Sequence, residues 1–155
     1  MELPFPEVLL RLGTATVAGM AVGLNRDLRN KPMGARTLGL VSLGAAIASV
    51  AVVQYSDFEN HPDALSRAVQ GVIQGIMGGI SFIGAGVILR DARAGSVTGL
   101  TTAATVWVAA ALGIACGLAA WHTAAVGIGL ALFVLIVVGW LERMVWKADD
   151  EDREG

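Results

Sequence analysis

Five long and almost charge-free apolar stretches dominate the 155-residue sequence, and they decide the solvent in which it can fold. They cover about 8–24, 37–53, 68–89, 100–119 and 123–141. A helix rises about 1.5 Å per residue and the hydrocarbon core of a bilayer is about 30 Å thick, so about 20 apolar residues make one crossing. Every stretch comes close to that length. Charged residues make up 15% of the chain and apolar residues 55%, whereas a soluble domain carries roughly 25% charge. Too few polar side chains remain to coat a globule in water. The expected fold is therefore all-α, a polytopic bundle of about five transmembrane helices in a lipid bilayer.

Charge placement predicts the topology. Lysine and arginine accumulate in cytoplasmic loops. The first connection holds Arg26, Arg29, Lys31 and Arg36, the third Arg90 and Arg93, and the C-terminal tail Arg143, Lys147 and Arg153. The opposite side keeps Arg11 and Arg67, with an acidic loop carrying Asp57, Glu59 and Asp63. This alternation predicts an outward N-terminus and an inward C-terminus. Residues 1–141 are expected to form the membrane domain and 142–155 a charged cytoplasmic tail containing Asp149, Asp150, Glu151 and Asp152. The acidic start, with Pro4 and Pro6, lacks the basic region of a signal peptide, so the first stretch reads as retained. A lone Cys116 leaves no disulfide or CxxC site within one chain. The net charge of −2, with most basic residues clustered in particular loops, makes nucleic acid an unsuitable partner.

Helices in lipid associate by close backbone approach and interhelical hydrogen bonds, because lipid tails are as apolar as leucine. Small residues at a spacing of four supply that approach. Gly19 with Gly23, Gly113 with Gly117, and the longer stripe Gly71, Gly75 and Gly79 are the candidate packing positions. Gly78, Gly84 and Gly86 add to the third stretch, which predicts that it is the central helix; the plainer reading is that glycine is common in membrane helices. Whether the stripe joins helices of one subunit or of two stays open, and a homo-oligomer is one outcome.

Polar groups near the spans give the candidate functional residues. Arg26, Asp27, Arg36, Arg90 and Asp91 fall at helix ends on the basic side, either as cross-loop ion pairs or as interfacial anchors. Gln70 and Gln74 lie one turn apart inside the third stretch, and Thr98, Thr101, Thr102, Thr105 and Trp107 open the fourth. A polar seam between the two is expected, serving as helix glue or lining a water- or ion-accessible cleft. Asp57, Glu59, His61 and Asp63 could ligate a divalent cation, although such loops are usually solvated. His122 reads as interfacial. With no GxSxG, HExxH or P-loop, neither enzymatic activity nor a cofactor is expected.

The run GGISFIGAGVILRDARAGSVTGLTTAATVWVAAALG, residues 78–113, resembles the MgtC/SapB family of bacterial inner-membrane proteins. Its matching parts are 79–88 (GISFIGAGVI), Arg90-Asp91 and 99–107 (GLTTAATVW). Upstream, 23–27 (GLNRD) is similar to the family's GLERE-type end of the first span, and 31–37 (KPMGART) to its KPAGLRT-type loop. The chain departs from that pattern at Asn25, Leu38 and Ser81, where the family favours glutamate, a polar residue and glycine. The resemblance covers roughly 8–118 and lacks the ACT-like C-terminal domain of some relatives. It implies a multi-pass inner-membrane regulator linked to magnesium limitation and membrane energetics. Its implied partner is a membrane protein, with ATP synthase the family's example. The alternative is a transporter or channel for magnesium or another cation.

Overall fold

The computed structural model describes residues 3–54, 62–91, 98–141 and 144, except for the side chains of 62 and 89–91. The acidic loop residues Asp57, Glu59 and His61 and the charged tail after 144 lie outside the described residues, as do the side chains of Arg90 and Asp91. Helix α1 (Phe5–Asp27) begins with Pro6 in its first turn, where a missing amide hydrogen costs nothing. Glu7 in that turn and Arg26 in the last one complement the helix dipole. Helices α2 (Ala35–Val53), α3 (Pro62–Asp91), α4 (Leu100–Gly117) and α5 (Trp121–Phe133) follow. Helix α5 continues through a π-helical stretch, Val134–Val138, and reaches Leu141. All five are long and apolar enough to cross a membrane. Helix α3 starts earlier than its apolar run, because Pro62 and Asp63 suit a first turn.

The turn between α4 and α5 falls at Leu118–Ala120, so Trp121 and His122, which lie between the fourth and fifth apolar stretches, already belong to α5. Ala119 takes a left-handed φ of 56°, and the Ala120 amide donates to the Ala115 carbonyl at 2.8 Å. This is the hydrogen bond of a Schellman end, with alanine where glycine is usual.

Helix α4, not the glycine-rich α3, is central. It touches all four other helices, and 56% of its span is buried against 6% for α3. The cause is the orientation of α3, whose bulky Ile73, Ile76, Met77 and Ile80 turn inward onto Ala45, Ala110 and Ile114. Helices α1, α2 and α4 form the tight centre. Ala18, Val22, Leu38, Val106, Ala109 and Leu112 make the main core cluster.

Ser42 of α2 is the node of that centre. Its hydroxyl donates to the Ala15 carbonyl of α1 at 2.6 Å, tying the two helices together in an environment without water. Gly19 of α1 meets Ser42 from one side, where an added Cβ would lie 2.7 Å from the serine Cβ. Gly113 of α4 abuts the Ser42 backbone from another side. One turn further on, Gly117 lies against Ser49, at 2.8 Å from its Cβ by the same measure. No side chain fits at these crossings.

Candidate functional site

The antiparallel succession of helices brings the end of α1, the starts of α2 and α4, and the ends of α3 and α5 to one end of the bundle. Two of the sequence motifs interlock there. Gly23 lets the last turn of α1 pass against the start of α2, with the added-Cβ position only 2.6 Å from the Ala35 nitrogen. One turn later the Asp27 carboxylate accepts the Ala35 backbone N–H at 2.8 Å. That bond caps α2, whose own N-cap, Gly34, offers no side chain. Any larger residue than glycine at 34 would occupy the space of the Asp27 carboxylate. Asn30 and Met33 adopt positive φ values of 50° and 62° to close the loop. The GLNRD and KPMGART segments are therefore two halves of one corner.

Arg26 is the charged centre of this end. Its side chain is 5% exposed, and one terminal nitrogen donates to the Thr102 hydroxyl of α4. Its Nε, also buried, has no partner among the described residues. Thr105 donates to the Thr102 carbonyl at 2.7 Å. A buried guanidinium with an open donor is costly unless an acceptor completes it. Arg29 reaches across to α5 and donates to the Ile136 carbonyl at 3.3 Å, within the π-helical stretch. Arg36 is exposed at the start of α2.

The seam expected between the third and fourth spans is not built. Thr102 turns toward α1 to meet Arg26, while Gln70 and Gln74 are exposed on the outer side of α3. Ser81, exposed like them, donates to the Met77 carbonyl of its own helix at 2.9 Å. Thr101 and Trp107 are exposed on α4. Of the glycines, Gly84 is buried, with the added-Cβ position 3.5 Å from the Ala103 Cβ, whereas Gly71, Gly75, Gly78, Gly79 and Gly86 have open space before them.

Arg11 carries a role that its sequence context concealed. It is 9% exposed, pairs with Glu7 at 2.8 Å and donates to the Gly117 carbonyl at 3.0 Å, satisfying the end of α4 from α1. The only signal was the Glu7–Arg11 spacing of four. Among the described residues no cluster of metal-ligating side chains is present.

Helices α1, α4 and α5 enclose a long apolar groove of about 430 Å³. Its wall includes Val22 of α1, Thr101, Thr105 and Leu112 of α4, and Gly127 and Leu135 of α5.

The pattern described as MgtC family matches residues 12–144. Protein SrpB of Synechococcus elongatus is 38% identical over 92% of this chain and 81% of its own length. Protein SapB of Bacillus subtilis is 36% identical over 92% of this chain and 60% of its own length. Protein MgtC of Salmonella typhimurium is 38% identical over 79% of this chain, which spans about half of that relative (48%). No solved structure matches.

Proposed function

The chain belongs to the MgtC family, and from that premise we propose that it is a non-enzymatic regulator of the bacterial inner membrane that acts by docking onto another membrane protein. The outer face of α3 carries this reading. A helix facing lipid normally presents bulky apolar side chains, whereas interhelical surfaces are small and polar. Helix α3 does the reverse over residues 70–81, before Phe82 and Ile83 present bulky apolar side chains. Its outward residues include Gln70, Gly71, Gln74, Gly75, Gly78, Gly79 and Ser81, all exposed. Gln74 lies close to the middle of the Asp63–Ile88 span. A primary amide left unpaired in hydrocarbon costs about 4–8 kcal/mol by water-to-cyclohexane transfer. A partner helix with hydrogen-bonding side chains removes that cost, and the glycines let it approach.

With the basic end placed in the cytoplasm, the Arg26 corner would face the cytoplasmic side. Cation transport is less well supported, since the acidic residues of the described helices, Glu7, Asp27, Asp63 and Asp91, all sit at helix ends. An ion pathway needs ligands deeper in the membrane.

Affinity purification from native membranes grown at low magnesium tests the proposal. A membrane protein, with ATP synthase the first to look for, is expected to accompany the wild-type chain and to be lost with Gln74→Leu. Recovery of a second copy of the chain alone would replace the heterologous partner with a homo-oligomer. Magnesium flux into proteoliposomes that Gln74→Leu abolishes would overturn the reading in favour of transport.

A further inference from the structure

The groove between α1, α4 and α5 runs to the end of the bundle that holds Arg26 and Arg29, since Leu135 in its wall adjoins the Ile136 carbonyl that Arg29 contacts. Val22, in the groove wall, stands one turn before Arg26 on α1. Thr101 and Thr105, also in the wall, flank the Thr102 that Arg26 contacts. From Thr101 to Ala115 the groove follows α4 for about 21 Å at 1.5 Å per residue. One leaflet contributes about half of a 30 Å hydrocarbon core, so an extended acyl chain of about 15 Å fits within that length. The lining is made of alanine, valine, leucine and glycine with a few threonines, which suits methylenes and excludes water.

The end of the groove carries the complementary charge. Arg26 has a buried Nε without a partner among the described residues. Arg29 bridges α1 to the Ile136 carbonyl of α5 at the same end, and Lys31 and Arg36 are exposed in the adjoining corner. Among the described side chains of this corner the carboxylate is that of Asp27, which accepts the Ala35 amide. Basic residues grouped at one end of an interhelical pocket suit a phosphate, whose oxygens accept several charged hydrogen bonds at once.

We propose that this groove is a binding site for one anionic phospholipid, with an acyl chain lying along α4 and α5 and the phosphate held at the Arg26–Arg29 end. The lipid would fill a space that packing leaves open and set its phosphate beside Arg29, next to the buried Arg26. It would also couple α5, the more loosely held helix, to the centre of the bundle. No residue of α3 lines the groove, so the site does not depend on the docking partner proposed above.

The test uses the full chain purified in a neutral detergent and relipidated with phosphatidylglycerol or phosphatidylcholine in mixed micelles. Native mass spectrometry should retain one phosphatidylglycerol per chain at concentrations where phosphatidylcholine is stripped. Ala104→Phe should lower that retention at least tenfold by filling the groove from an exposed position on α4. Arg29→Gln should remove most of the preference for the anionic lipid while leaving the helical signal intact, and so keeps the test valid even if Arg26→Gln fails to fold. Equal retention of both lipids by the wild type, or unchanged retention in Ala104→Phe, would overturn the proposal. So would a stable dimer in neutral detergent whose dissociation Ala104→Phe alone promotes, since the groove would then belong to a second copy.

Discussion

Gly113→Ala adds one methyl group at the tightest crossing in the molecule, and its consequence can be worked out from the contacts around Ser42. The new Cβ would fall 2.8 Å from the Ser42 carbonyl carbon and 2.9 Å from the Ala45 Cβ, and closer still to the Ser42 oxygen. Carbon atoms pack best at about 3.5–4.0 Å, so α2 and α4 must separate by roughly 0.6 Å or more. Two of these neighbours are backbone atoms, and no rotamer change relieves the overlap. A gap of about 0.5–1 Å forfeits roughly a quarter to a half of each dispersion contact along the seam. Overpacking of this kind costs about 1–3 kcal/mol, of which alanine's helix preference over glycine returns about 0.5–1 kcal/mol. The expected net loss lies between about 0 and 2.5 kcal/mol and centres on about 1.2 kcal/mol, roughly eightfold in the folded-to-unfolded ratio. Gly75→Ala is the control, because nothing lies within 4 Å of its added Cβ. That variant should be unchanged or gain up to about 1 kcal/mol from helix propensity. Reversible unfolding in mixed micelles with increasing sodium dodecyl sulfate, followed by tryptophan fluorescence and circular dichroism, measures both. Equal midpoints for the two variants would refute the assignment of Gly113, and not Gly75, to an intrachain crossing.

Thr102→Val removes the hydroxyl that accepts from Arg26 and should destabilise the chain by about 1–3 kcal/mol, since it strands a buried donor. Adding Arg26→Met to that variant should recover part of the loss, and a double-mutant cycle with no coupling would show that the pair does not interact. Asp27→Ala removes the acceptor that caps α2 and should cost about 1 kcal/mol. Hydrogen exchange at the Ala35 amide should then accelerate about fivefold; an unchanged rate at that amide would mean that the carboxylate does not hold the corner closed.

The helices were legible because their signal is bulk hydropathy over a length that the bilayer sets. Side-chain geometry does not enter that signal, so all five were found with ends shifted by a few residues. Agreement was poorest at the start of α3, where Pro62 and Asp63 favour a first turn without being apolar. What faces what was much less legible. Glycine spacing marks a surface that can be approached closely, but Gly113 and Gly75 occur in similar patterns and only the rotation of each helix separates them. The rotation of α3 follows from its other face, where Ile73, Ile76, Met77 and Ile80 need a core to fill. The expected seam failed for the same reason, since turning those residues inward turns Gln70 and Gln74 outward.

The behaviour of the charged residues follows from the same constraint. Arg11 and Arg26 lie toward the two ends of α1; in sequence Arg26 reads as an ion pair or an interfacial anchor, and Arg11 only as a charge on the opposite side. Both are buried, because α4 crosses α1 closely enough to cover them, and each uses α4 to satisfy itself: Arg11 through the Gly117 carbonyl and Arg26 through the Thr102 hydroxyl. The two arginines thereby fix the register of α1 against α4 at both ends, with Gly19, Ser42 and Gly113 setting the approach between them. Arg11 is completed by Glu7 within its own helix, whereas Arg26 keeps an open donor. That asymmetry satisfies Arg11 within the helices that hold it and leaves Arg26 with a donor that no described residue accepts, so the Arg26 end is where a further acceptor would act.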